Sequence, residues 1–333
     1  MIGVAVVGAG NWGKNLVRNF AGLADVELKY VCDVSEKIRR TMSGLYPQVQ
    51  VTDNFRQVLD DASVQAVVVA VDAPQHFDLA RSSLEAGKHT FVEKPLTLSS
   101  ADSRQLVEMA AAKRLNLMVG HLLEYHPAVN YMKEMIAKAQ VGRVLYLYFQ
   151  RVNLGVVRKD EDAWWSLGPH DVSVACYLFD AEPVAVSASG HAYLQKGVQD
   201  VVFANLKFSD GKMAHIHVSW LDPHKIRKAT LVGSRKMVVF DDTEATEKIR
   251  IYDKGAVVKS VDSYVEAVTL RTGDILIPEI PAGEPLKTEC RHFIDSIIKG
   301  SRPRSDGADG LRVVKVLEAG SRSLGRGGEP VKL

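Results

Sequence analysis

The chain has 333 residues, 46% of them apolar and 25% charged, with a formal net charge of +2. That length favours two domains of an ordinary soluble globular protein, and the small charge without a basic block argues against a nucleic-acid partner. The longest apolar run, Ala66 to Val71, is far too short to span a membrane, and Cys32, Cys176 and Cys290 are too scattered for a disulfide framework or a metal site, as expected of reduced thiols in the cytoplasm.

The first apolar run, Ile2–Val7, has no charged leading segment and runs directly into a glycine turn, so it reads as a buried strand and not as a signal peptide. Further strands are expected at Glu27–Cys32, Ala66–Val71, Thr90–Val92 and Leu117–Val119. Helical patterns lie between them near 13–23, 35–45, 54–60, 76–86 and 100–114, with Ser99-Ser100 as a cap and Gly87 as a stop. This alternation predicts a doubly wound parallel sheet covered on both faces, a Rossmann domain over residues 1–120. A helix near 127–139 then introduces a different rhythm. Arg143–Asn153, Val184–Tyr193, Val201–Phe208, Met213–Leu221, Lys228–Val232 and Lys236–Phe240 read as long strands, with hairpin turns at Ser209–Lys212 and Gly233–Arg235. Helices near 287–299 and 308–324 close the chain. Residues 121–333 are therefore expected to form an α+β domain with an open, mostly antiparallel sheet, for substrate binding and oligomerisation. Tyr146 and Tyr148 alternate with Leu145, Leu147 and Phe149, so the second face should bury against another subunit, giving a homo-oligomer, dimer or tetramer.

Gly8-Ala9-Gly10-Asn11-Trp12-Gly13 follows the first strand and opens a helix. Gly8 permits the tight turn, Gly10 lets a pyrophosphate approach the backbone, and Gly13 lets the helix pack on the strand; the phosphates would lie at the helix N-terminus. Asp33 ends the second strand, where a carboxylate would hold the adenine ribose hydroxyls. Because that carboxylate repels a 2′-phosphate and Val34-Ser35 follow it, NAD is favoured. Lys37, Arg39 and Arg40 on the next helix keep NADP open. Phe91-Val92-Glu93-Lys94-Pro95 then supplies a cation at a strand end, where the reactive end of such a cofactor would lie.

Glu93-Lys94-Pro95, the glycine turn and the following sheet domain together resemble the Gfo/Idh/MocA oxidoreductases over nearly the whole chain. Val71-Asp72-Ala73-Pro74-Gln75-His76 and Trp165-Ser166-Leu167-Gly168-Pro169-His170-Asp171 add to the resemblance. Within the family the chain is most similar to nucleotide-sugar 3-dehydrogenases, through Gln150–Gly155, His215–Pro223 and Arg302–Gly307. The resemblance implies cofactor contacts from Asn11, Trp12, Asp72, Pro74, His76, Glu93 and Lys94, besides Gly8, Gly10, Gly13 and Asp33. It implies Lys94 and His170 as catalytic residues and a cis peptide before Pro95. It also implies oxidation of a secondary hydroxyl, at C3 of a nucleotide sugar such as UDP-N-acetylglucosamine. Alternatives are a free sugar or inositol substrate, and a non-catalytic cofactor-binding regulator. Two departures stand out: Ser166 occupies the place of a family Asp four residues before the His, and Asp72 stands where relatives commonly carry Pro.

A His with an ordinary pKa near ~6.5 suits a base at neutral pH, and a Lys suits stabilisation of developing charge on the substrate oxygen. His170 is thus expected as base and Lys94 as clamp, with exchange of these roles left open. Asp171 reads as a structural carboxylate. Arg151, Arg158 and Lys159 are candidates for a substrate diphosphate, with Trp165 and Ser166 beside His170. His121 and His126 are either substrate contacts or satisfied polar groups. His215 and His217 share a strand face without a carboxylate at matching spacing, so no metal site is expected.

Overall fold

The computed structural model describes residues 1–155, 157–158, 161–259 and 267–333. In chain order the elements begin β1 (Ile2–Val7), α1 (Gly13–Ala21), β2 (Val26–Cys32), α2 (Glu36–Leu45), β3 (Gln50–Thr52), α3 (Phe55–Asp60) and β4 (Ala66–Val69). They continue through α4 (His76–Glu85), β5 (His89–Val92), α5 (Ser100–Lys113), β6 (Leu117–Val119), α6 (Pro127–Ala137), β7 (Val144–Val152) and α7 (Ala163–Phe179). Then come β8 (Pro183–His191), β9 (Val201–Phe208), β10 (Met213–Ser219), β11 (Ile226–Gly233), β12 (Met237–Asp241), β13 (Ile249–Lys259) and β14 (Ala267–Leu276). Last are α8 (Pro285–Lys299), α9 (Gly307–Leu324) and β15 (Val331–Lys332). The chain separates into two compact units, Met1–Tyr125 with Gly283–Lys315, and His126–Ala282 with Val316–Leu333.

The first unit carries a six-stranded parallel sheet in the order β3-β2-β1-β4-β5-β6. Its strands are continuous apolar runs because both faces are covered: Val4, Ala5, Val6 and Val67 to Val69 are fully buried. Ser99 caps α5 by accepting the Asp102 N–H, and Gly87 leaves α4 at φ +77. The strand order reverses between β1 and β4, and ligands of such sheets bind outside the carboxyl ends of the strands at this point. The short edge strand β3 has no clear sequence signal, since Gln50-Val51-Thr52 is brief and mostly polar. Residues 283–315 complete the unit. Phe293 of α8 meets Phe20 and Phe91 edge to face at centroid distances of 6.4 and 5.7 Å. The Ser305 carbonyl accepts the Val119 N–H and its hydroxyl donates back to the Val119 carbonyl, closing the outer edge of β6.

The second unit holds a nine-stranded sheet, β14-β13-β12-β11-β7-β10-β9-β8-β15, antiparallel except where β7 meets β10. Leu147 and Phe149 point into the helix-covered core, and Tyr146 and Tyr148 point the other way and are exposed. On that outer face Tyr148 stacks on His215 at 5.6 Å, and Phe203 stacks on His217 at 4.3 Å. β13 and β14 are additions that the sequence pattern did not announce, because charges and Gly255 and Gly273 interrupt their alternation. In the core, Trp164 of α7 lies against Gly168 and Gly320: a Cβ at either glycine would come within 2.8 or 2.5 Å of the indole. Its Nε1 donates to the Leu317 carbonyl, and the neighbouring Trp165 donates to the Ser321 hydroxyl. The two tryptophans thereby fasten α7 to the C-terminal half of α9.

Candidate active site

The glycine turn divides into two kinds of glycine. Gly8 has φ +86, and a Cβ there would meet the Ala70 carbonyl oxygen at 2.6 Å; a Cβ at Gly13 would meet the Gly8 oxygen at 2.0 Å. Both are demanded by the chain's own packing. Gly10 is different: a Cβ there would have no neighbour within 4 Å. Nothing internal requires a glycine at that position, whereas an external group approaching the backbone would. Trp12, at the N-cap of α1, provides no side-chain cap, and the first-turn Lys14 and Asn15 N–H groups donate to the Gly10 and Trp12 carbonyls of the glycine turn. Asp33 steadies the turn from β2. Its Oδ2 accepts the Ala9 N–H at 2.8 Å and its Oδ1 accepts the Ser35 N–H at 2.8 Å. Arg39 is held beneath it, donating to the Asp33 and Val34 carbonyls and pairing with Asp53. These residues fit a dinucleotide: a glycine open on one side, a helix start without a side-chain cap and a carboxylate at the second strand end.

Lys94 leaves the C-terminal end of β5, and its peptide bond to Pro95 is cis. The residues on either side are tied down. Glu93 is buried, and its Oε1 accepts the Trp12 indole N–H at 2.5 Å while its Oε2 accepts the Lys94 N–H at 3.3 Å. Gly120, at the end of the adjacent β6, makes room for this carboxylate, since a Cβ there would lie 3.0 Å from Oε2. Burial pushes the Glu93 carboxyl up, and the two N–H donors and the Lys94 charge pull it down. His76 is buried with Nδ1 2.7 Å from the Pro95 oxygen and Nε2 3.0 Å from the Val71 oxygen. Both of its ring nitrogens therefore face backbone carbonyls, so the ring has no polar atom left to offer a cofactor. Asn11, Asp72 and Pro74 are exposed around the same strand ends.

Beside this edge lies a cluster of which the sequence singled out only His121. His121, Glu124, Glu289 and Asp309 are all buried. His121 Nε2 stands 3.8 Å from Asp309 Oδ2. Burial, and next the charge of Asp309, push the Glu124 carboxyl well up, and Arg304 opposes them. Burial and the facing Glu93 do the same to Glu289. Burial lowers the pKa of His121. His121 is enclosed within the first unit with no hydrogen-bond partner among the described residues at either ring nitrogen, which departs from the expectation of a satisfied polar group at a domain boundary. His126 caps α6 by accepting the Ala128 N–H.

In the second unit α7 carries Trp165, Ser166, His170 and Asp171. Ser166 and His170, four residues apart, share one face of the helix. Asp171 points elsewhere and receives Arg151 of β7 in a buried bidentate pair, with contacts of 2.7, 3.1 and 3.1 Å. Burial pushes the Asp171 carboxyl up and the guanidinium pulls it down. Arg151 is thus engaged inside the unit, while the more exposed Arg158 pairs with Glu161 at 2.6 Å. Lys159 lies outside the described residues. The sequence signalled these charges but not their partners, because pairing across 20 residues between a strand and a helix leaves no local pattern. His215 Nδ1 meets Asn205 Oδ1 at 2.9 Å, and among the described residues no cluster of three or more His, Cys, Asp or Glu gathers as metal ligands. Among them, too, no helix is long and apolar enough to cross a membrane.

Comparison with known proteins agrees with this arrangement. Residues 2–121 match the oxidoreductase family with NAD-binding Rossmann fold, Gfo/Idh/MocA, and residues 129–239 match the Gfo/Idh/MocA C-terminal domain, together about two thirds of the chain. A UDP-N-acetylglucosamine 3-dehydrogenase of Acidithiobacillus ferrooxidans is 27% identical over 318 residues, covering 93% of this chain and 93% of that protein. An inositol 2-dehydrogenase of Rhizobium meliloti is 25% identical over 337 residues, covering 96% of each. The solved structure of UDP-N-acetylglucosamine 3-dehydrogenase GnnA from Acidithiobacillus ferrooxidans aligns with a TM-score of 0.82 at 24% identity, over 98% of this chain and 99% of that one. At that identity the likeness speaks for the fold. With an NAD-binding unit and a C-terminal unit each matching its own part, the chain belongs to the Gfo/Idh/MocA family of oxidoreductases.

Proposed function

We propose that the protein is an NAD-dependent dehydrogenase that oxidises a secondary hydroxyl of a sugar, with a nucleotide sugar such as UDP-N-acetylglucosamine as substrate and C3 as the reacting carbon. The observation that carries the reading is the rigid mounting of Lys94, whose two neighbours in sequence are each bonded to a loop at the strand ends that receive the cofactor. A buried, doubly fastened strand end is an expensive way to present a surface cation and an apt way to present a catalytic one. Bound NAD would supply the acceptor for the hydride of the carbinol carbon. Lys94 stabilises the negative charge that grows on the substrate oxygen. His170 takes the hydroxyl proton, and Ser166, four residues before it on the same face of α7, would hydrogen-bond the sugar or the imidazole without supplying a negative charge. Asp33 holds the adenine ribose and disfavours a 2′-phosphate.

The nucleotide-sugar reading is supported by the 27% identity with a UDP-N-acetylglucosamine 3-dehydrogenase over nearly the full length of both proteins. A free cyclic polyol is the second reading. It is favoured by the engagement of Arg151 with Asp171, which withdraws one cation from a diphosphate, and by the similarity to an inositol dehydrogenase. Turnover of NAD followed at the NADH absorbance, with UDP-N-acetylglucosamine, other nucleotide sugars, free sugars and inositols, decides between them. Activity confined to free polyols sinks the nucleotide-sugar reading, and none with any secondary alcohol sinks both. We further propose that the exposed face bearing Tyr146, Tyr148 and Phe203 is covered by a second copy of the chain. Sedimentation as a monomer at every concentration would refute that.

A further inference from the structure

His76 begins α4, but its ring serves other parts of the chain. Nδ1 lies 2.7 Å from the Pro95 carbonyl oxygen, 19 residues downstream, and Nε2 lies 3.0 Å from the Val71 oxygen at the end of the β4 segment. Only 1% of the residue is exposed. Both contacts are to acceptors, and a neutral imidazole has only one N–H to donate. The ring satisfies both carbonyls only when charged. Burial, the largest influence, and Lys94 disfavour that charge and lower the pKa of His76 against the pull of the two carbonyls and Asp72, so the neutral ring donates to one carbonyl and touches the other. An apolar side chain in this place would supply neither carbonyl with a donor. What an apolar residue cannot do is donate to one of these carbonyls from a rigid ring that touches both.

The position of that ring gives the bonds a purpose. On the other flank of Lys94, Glu93 is joined to Trp12 of the glycine turn. Lys94 therefore sits between two anchors, one reaching β1's turn and the other reaching β4's turn. We infer that His76 is a positioning residue for Lys94: by holding the Pro95 carbonyl against the end of the β4 segment, it fixes the direction in which the Lys94 side chain leaves the sheet. The inference rests on the reading of Lys94 as a catalytic cation.

The test combines His76→Leu and His76→Gln with Lys94→Met in a double-mutant cycle. His76→Leu is expected to lower kcat by about ten- to a hundredfold, the cost of a small misplacement of a reacting group. KM and the NAD dissociation constant should stay within about twofold. His76→Gln, whose amide donates two hydrogens, should recover most of the loss. In the Lys94→Met background, His76→Leu should have no further effect. Amide hydrogen exchange in the cofactor-free protein gives a readout apart from activity: His76→Leu should speed exchange at Lys94 and Leu96 but not along β1. An equal loss of kcat in both backgrounds, an effect carried by NAD affinity, or unchanged exchange at Lys94 and Leu96 would each overturn the inference. If His76→Leu fails to fold, His76→Asn, too short to bridge both carbonyls, takes its place. Full turnover by Lys94→Met would sink the catalytic reading of that residue, while the exchange result would still decide whether His76 holds the strand end.

Discussion

The indole N–H of Trp12 donates to Glu93 Oε1 at 2.5 Å, and this one bond joins the glycine turn to the strand end that bears Lys94. The two residues are 81 positions apart and belong to different strand–helix turns of the same sheet. The bond gives the half-exposed Trp12 a fixed orientation and gives the buried Glu93 a neutral donor.

Trp12→Phe keeps the ring and removes the donor. A buried carboxylate that loses a partner costs about 1–3 kcal/mol, and the loss falls on the turn that receives the pyrophosphate. NAD affinity is expected to weaken about tenfold, taken as the factor equivalent to ~1.4 kcal/mol. Titration of the protein with NAD by calorimetry checks this, and unchanged affinity would show that the turn holds its shape without the bond.

Arg151 and Asp171 illustrate the asymmetry of buried ion pairs. Arg151→Met leaves the Asp171 carboxylate enclosed without its cation, a defect that costs about 3–5 kcal/mol. Replacing both, as Arg151→Met with Asp171→Leu, removes the charge problem and should restore most of the stability. Urea unfolding of the two single variants and the double variant measures the effect, and simple additivity would contradict it. Because Asp171 adjoins His170, the single variants should also lose activity beyond their loss of folded protein.

Much of this was legible beforehand and some of it was not. The strands of the first sheet announce themselves because continuous apolar runs are forced by burial on both faces, and Ile2–Val7 and Leu117–Val119 lie where the pattern puts them. The glycine turn, Asp33 and Lys94 are local motifs, visible as short strings. The braces around them are not. His76 with Pro95, Trp12 with Glu93 and Arg151 with Asp171 are pairs made by the fold across 19, 81 and 20 residues, and a hydrogen bond at such separation has no periodicity to betray it. The addition of α8 to the first unit was likewise hidden, since an amphipathic helix looks the same whichever core it covers.

Glu289 predicts a pH dependence of stability. Burial and the facing Glu93 raise its folded pKa above the ordinary 4.5. The folded state thus binds the proton more tightly than the unfolded chain does. Its contribution is fully present below the unfolded pKa and is lost as pH rises through the folded value. Glu289→Gln, neutral at every pH, should match the parent at pH 4 and be more stable than it at pH 8. Urea midpoints at the two pH values check the sign. Equal midpoints at pH 8 would mean that Glu289 carries its charge without penalty.

His170→Asn should lower kcat by about 10²- to 10⁴-fold, the usual contribution of a positioned acid or base, and abolish the acidic limb of the rate profile. Ser166→Asp sets a carboxylate one helical turn before His170. It should stabilise the imidazolium and move that limb to higher pH. A rate profile unaltered by either change would remove His170 from the chemistry.

The sealing of β6 by Ser305 has a consequence for the order in which the protein is made. Most of the first unit, Met1–Tyr125, is synthesised before the second, but its outer strand edge and the third ring of its phenylalanine cluster come from residues 293–305. All of the second sheet except β15 is synthesised in between. The unit that starts first is therefore completed only after most of the second has been made, and until then it presents an open parallel edge and a gap beside Phe20 and Phe91. A fragment ending at Tyr125 should aggregate, and one that also supplies residues 283–315 through a short linker should not.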